Sequence, residues 1–334
     1  MPALVEQFLD KPRRKHACGE KRTSVPGQNV LSRAFAVSSK ENGADEKQVF
    51  DMLLAVAYQT PTGKKILDDV SRLGYSFSFE PGMNKGGCCY PGEKKITLSP
   101  ECGFNHMLVS LVHEGRHAIQ HSLAAGHLEQ YRYQVADFYK YDRAVEADAV
   151  AFETAFTHEL KTVYPAAYRE KAASGFPMLP AYEKELEASG DAGKALEASF
   201  RAWYGCVAYR DYYDRDNREF IDYILKGCTA ENDPTAFQIP VSSQEILKIC
   251  PNGKRPYVDP GFLETPAAFS IPAEDKADIE RKMKIYASSV KGASADMSVM
   301  RMYSRDREGN ILPHSEKKEA AVAAFLIRGT GRRR

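Results

Sequence analysis

Residues 108–121 read LVSLVHEGRHAIQH. Projected at 100° per residue, Leu108, Leu111, Val112, Gly115, Ala118 and Ile119 fall on one side of a helix. His106, Ser110, His113, His117 and His121 fall on the other. The apolar stripe has to be buried against other elements, so this helix lies on a core. Histidine forms helices less well than the Lys and Glu that usually face solvent. The second face therefore predicts a site as well as a surface.

The surroundings of that helix suggest a fold class. EKQVFDMLLAVAYQ, from Glu46, has apolar residues at helical spacing, and Thr60-Pro61 announces a second helix that Gly74 closes. YSFSFE (75–80) alternates with the period of a strand. CCYPGEKKITLSP then reads as a short strand, a Pro-Gly turn and a second strand, Lys95 to Leu98. From about 127 to 226 the chain is helix-like, with breaks at GFPMLP (175–180) and SGDAG (189–193). Residues 228–272 look irregular, and helices follow near 273–288 and 317–327. The expected class is α+β: mainly helical, with a small antiparallel sheet ahead of the histidine helix.

Composition adds boundaries. Of 334 residues, 43% are hydrophobic and 27% charged, enough apolar material for a core, and no run is long enough to span a bilayer. Net charge is +1, yet residues 1–40 and 297–334 each carry an excess of five basic groups over acidic ones. The middle of the chain is correspondingly acidic. We expect a basic extension over 1–45, one folded body over 46–290, and a basic tail with a short helix over 291–334. Such tails could touch nucleic acid or an anionic membrane. Seven scattered cysteines and the lack of an apolar leader at the N-terminus suggest reduced thiols and a cytoplasmic location.

Within the helix, His113-Glu114-Gly115-Arg116-His117 matches H-E-x-x-H. His113 and His117 are one turn apart, so both imidazoles can reach one ion, and Zn2+ is the expected metal. Glu114 is rotated by about 100° from them and can act as general base toward a zinc-bound water. His121 stands about 12 Å along the axis from His113 and cannot share that ion. A third ligand is sought on YDRAVEADAVAFETAFTHEL. Glu146 lies among alanines on a surface suited to close approach, and Glu153, on the same face, is the reserve. Asp148 points away, and Asp142 is a candidate for orienting a ligand imidazole.

H-E-x-x-H followed by a helix with E-A-D-A resembles the gluzincin branch of zincin metallopeptidases. More narrowly, CCYPGEKKITLSP, LVSLVHEGRHAIQH, RAVEADAVAFE and ASFRAWYGCVAYRDYYD resemble uncharacterised bacterial metallopeptidase domains, over about residues 50–225. The resemblance implies a zincin-like domain with His113, His117 and Glu146 as ligands and Glu114 as base. Val150 stands where some gluzincins place an acid behind a ligand imidazole. It also implies an edge strand for an extended substrate, here Lys95–Leu98, and a Tyr, His or Arg donor to the oxyanion; Tyr209, Arg210, Tyr213 and Asp214 cluster on a later helix, and Tyr213 is the preferred donor. Trp203 and Tyr204 read as core packing. The expected activity is zinc-dependent hydrolysis of a protein or peptide. The competing reading is a catalytically silent protein on the same scaffold, binding nucleic acid or membrane through its tails.

Overall fold

The computed structural model of the chain describes residues 44–83, 85–124 and 129–312. Helix α1 (Ala44–Ala57) leads into α2 (Pro61–Arg72). Thr60 caps α2 by accepting from the Gly63 amide, Pro61 fills its first turn, and Gly74 closes the stretch at φ 78°. Three short strands follow: β1 (Ser76–Phe79), β2 (Gly87–Tyr90) and β3 (Lys95–Leu98).

The order in the sheet is β1-β3-β2. A tight turn with Lys94 at φ 49° folds β3 back antiparallel on β2, and β1 joins the opposite side in parallel register. The sheet is therefore mixed. Lys95–Leu98, expected as the edge, is the central strand, with Ile96, Thr97 and Leu98 buried. The strand pattern alone carries no record of which neighbours it takes.

Helix α3 (Phe104–Leu123) carries the histidines and packs on α2 through its apolar stripe. Gly115 makes that approach possible: a Cβ there would stand 2.7 Å from a methyl of Ile66. The polar side of α3 is covered as well, by the 29-residue helix α4 (Val135–Val163). Ser110, Glu114, Arg116 and Gln120 are all buried. The middle of the side that a helical wheel marks as polar is thus covered, while His106 and His121 at its ends stay exposed.

Four further helices wrap α4: α5 (Pro165–Ala172), α6 (Met178–Ser189), α7 (Ala192–Gly205) and α8 (Val207–Glu231). Gly190, left-handed at φ 66°, ends α6, and Asp191 caps α7 by accepting from the amides of Gly193 and Lys194. Trp203 and Tyr204 are core residues, as expected. Beyond 232 the chain forms the short helix α9 (Ser243–Ile246) and a hairpin of β4 (Pro251–Asn252) and β5 (Arg255–Pro256). Then come β6 (Ser270–Pro272), α10 (Ala273–Ser289) and β7 (Tyr303–Arg305), with β6 and β7 parallel neighbours.

Residues 291–312, assigned to a basic tail by composition, pack on the helices. Arg305 is buried and donates to Asp214 at 2.5 Å and to the Ser270 carbonyl at 2.6 Å. The same Asp214 accepts from Arg143 on α4, so three distant segments meet at one carboxylate. The N-terminal extension through residue 43 and the expected helix at 317–327 lie outside the described residues. No described helix is long and apolar enough to cross a membrane.

Candidate metal centre

The packing of α3 on α4 brings His113, His117 and Glu146 together. One donor atom from each lies within 4.8 Å of the others. The two Nε2 atoms are 3.1 Å apart; Glu146 Oε2 lies 3.7 Å from that of His113 and Oε1 3.7 Å from that of His117. The rings meet edge-on, at 82°. All three side chains are partly buried, between 12% and 15% exposed, so the cluster keeps some contact with solvent.

What lies behind the rings decides what the cluster can hold. His113 Nδ1 is 2.9 Å from a Glu153 oxygen, and His117 Nδ1 is 2.8 Å from Oε1 of Gln120. Both partners can only accept, so each Nδ1 donates and each neutral ring turns a lone pair from Nε2 toward the other. Two lone pairs facing across 3.1 Å, beside a carboxylate, require a cation or a proton between them. Two nitrogens bound at about 2.0–2.1 Å to a tetrahedral zinc would be separated by about 3.3 Å. The donor set of two imidazoles and one carboxylate fits such an ion.

Electrostatics point the same way. Burial disfavours a charged His113, but the hydrogen bond and charge of Glu153, with Glu114 and Glu146 nearby, outweigh it and push His113 up to about 9. Glu153 would be raised by burial, yet the adjacent Lys171 and His113 hold it down at about 2. Lys171, from α5, forms an ion pair with the second oxygen of Glu153 and is itself held protonated. The carboxylates around His113 thus favour a positive charge on it.

Glu153, the reserve ligand, thus braces His113 from behind. It answers the question left by Val150: the orienting carboxylate lies seven residues after Glu146, two turns along α4. Asp142 has no such role, because both Nδ1 atoms are already taken. Asp148 points away from the cluster, as expected, into a buried pair with Arg116. His121 is exposed at the end of α3, outside the ligand group.

Glu114 is 9% exposed and lies against β2. A Cβ on Gly87 would stand 2.8 Å from the Glu114 Cγ, so glycine at that position leaves room for the carboxylate. Of the residues named on α8, Tyr213 lies near the cluster; burial and the Glu146 carboxylate raise its hydroxyl well above the ordinary value. Tyr209 lies nearer Lys171 and packs on Phe176 at 4.9 Å. Arg210 and Asp214 face elsewhere, to the Ala267 carbonyl and to Arg143 and Arg305.

Sequence reasoning missed Gln120, Arg116, Lys171 and Tyr257. Gln120 was within reach, being three residues from His117 on the same helix face. Lys171 and Tyr257 arrive from remote segments and leave no local signal.

A family model described as "Putative metallopeptidase family (DUF6782)" matches residues 29–232. No curated protein and no solved structure matches the chain.

Proposed function

The chain belongs to this putative metallopeptidase family, and from that premise we propose that it is a zinc-dependent peptidase of gluzincin type. The ion would be held by His113, His117 and Glu146, and the observation that carries this reading is the convergence of their donor atoms within 4.8 Å. Bound there, zinc would supply Lewis acidity that makes water more acidic and polarises a carbonyl.

The protein's own residues have separable tasks. Glu114 follows His113 directly, so its carboxylate is turned about 100° from the ligand imidazoles. From that position it accepts the proton of the attacking water and passes it to the leaving amine. Tyr213, close to Glu146, carries the O–H we assign to the developing oxyanion. The outer edge of β2 has no strand partner among the described residues, and it lies beside Glu114. An extended peptide pairing with that edge would pass its carbonyl over the cluster. β2 thus takes the role that was expected of Lys95–Leu98.

The test is a paired one. Glu114→Gln should abolish hydrolysis of a peptide library while about one equivalent of zinc is retained. His113→Ala and Glu146→Ala should lose the zinc. Full activity in Glu114→Gln, or full zinc affinity in Glu146→Ala, would overturn these roles.

A further inference from the structure

The geometry points to Gln120 as the positioning residue that sets the tautomer of His117, held in that role by Tyr257 through Asp148. The inference rests on the metal-binding reading above and names residues that shape its ligands from outside. Gln120 is 2% exposed. Its amide NH2 donates to the Val145 carbonyl at 2.9 Å and to Asp148 at 2.6 Å. Neither partner can donate, so the amide has one permitted orientation, with Oε1 facing His117 Nδ1. An oxygen there requires Nδ1–H and leaves Nε2 bare, the form a metal needs. A reversed amide would press its oxygen against two acceptors and move the ring proton to Nε2, where it would block the ion.

The orientation of Gln120 therefore depends on Asp148, which is wholly buried. Besides Gln120, this carboxylate accepts from Arg116 Nε at 2.6 Å, Arg116 Nη2 at 3.1 Å and the Tyr257 hydroxyl at 2.9 Å. Four donors fill about all the lone-pair sites that a carboxylate offers. Asp148 thereby cannot rotate without giving up donors that it now accepts from. Arg116 is fixed in turn by the Pro251 carbonyl at 2.9 Å and by the ring of Phe152, 3.9 Å below its guanidinium. Pro251 begins the β4–β5 hairpin and Tyr257 follows it, both beyond residue 232, where the family match ends. A segment outside the matched region thus reaches the second imidazole through two side chains, Asp148 and Gln120.

The full chain, labelled with 15N at histidine, allows a test that needs no turnover. In the metal-free protein His117 should show the Nδ1–H pattern, and zinc affinity is then read by competition with a chelator. Gln120→Leu should mix the tautomers and weaken zinc by about 10–100-fold. Gln120→Glu should restore both, because its carboxyl can give a proton to Asp148 and an oxygen to Nδ1. Tyr257→Phe should move both readouts the same way by a smaller, several-fold amount. Wild-type tautomer and zinc affinity in Gln120→Leu would overturn the relay; should that variant fail to fold, the same result in Tyr257→Phe would overturn it. A wild-type protein that takes up no zinc would sink the peptidase reading instead, while the tautomer in metal-free protein would still decide this one.

Discussion

The two imidazoles of the cluster are braced by different chemistry. His113 gives its Nδ1 proton to a carboxylate, Glu153, whose partner Lys171 has a side chain 24% exposed. His117 gives its proton to a neutral amide, Gln120, behind which Arg116 and Asp148 lie with almost no exposure. A carboxylate behind the ring makes its far nitrogen more basic, whereas an amide orients the ring and adds little charge. One arm tunes charge and stays near water. The other tunes direction and is sealed in the core, where a side chain has a single arrangement.

The largest effect should come from the sealed arm. Asp148→Ala leaves Arg116 buried without its counter-charge, and breaking such a pair costs about 3–5 kcal/mol. Denaturant unfolding of the metal-free protein measures it. Glu153→Ala should cost clearly less, because the Lys171 ammonium can turn toward water. Equal losses from the two substitutions would break the contrast.

Next in size is the loss of charge on the open arm. Glu153→Gln keeps an acceptor near His113 but removes the anion, and zinc affinity should fall about 10–100-fold in chelator competition. Stability against pH sharpens this. His113, pushed up to about 9 from an ordinary 6.5, adds stability that is fully present below pH 6.5 and lost as pH rises through 9. Glu153, held at about 2 against an ordinary 4.5, adds stability present above pH 4.5 and lost as pH falls through 2. The metal-free protein should therefore melt highest between about pH 4.5 and 6.5. Glu153→Gln should flatten both slopes, and an unchanged profile would show that its charge is not what stabilises His113.

The contrast also explains what could be read in the sequence. The convergence of His113 and His117 was legible because one-turn spacing is a property of the helix itself. Glu146 was legible because a carboxylate among alanines marks a close helix contact. Glu153 was on the right face but took another role, since whether a side chain meets Nε2 or Nδ1 depends on how α4 crosses α3. The position of β3 at the centre of its sheet, and the arrival of Lys171 and Tyr257, are products of chain topology. No periodicity within a segment records them. The polar stripe of α3 misled in one respect: only its ends, His106 and His121, are exposed, while His113 and His117 between them are mostly covered and meet side chains of the protein.

The smallest effect belongs to the outermost residue of the open arm. Lys171 touches neither imidazole, and its influence passes through Glu153 alone. A partly exposed ion pair contributes roughly 0.2–1 kcal/mol, because water screens it and competes for the ammonium. Lys171→Met should thus weaken zinc by no more than about fivefold, far less than Glu153→Gln. It should also shift the acid limb of the melting profile upward in pH, since Glu153 then lacks the charge that most opposes its burial. The basic limb should persist, because Glu153 still faces His113. A Lys171→Met protein that loses zinc as severely as Glu153→Gln would show that the outer charge is no mere accessory, and the open arm would have to be treated as one coupled unit like the sealed one.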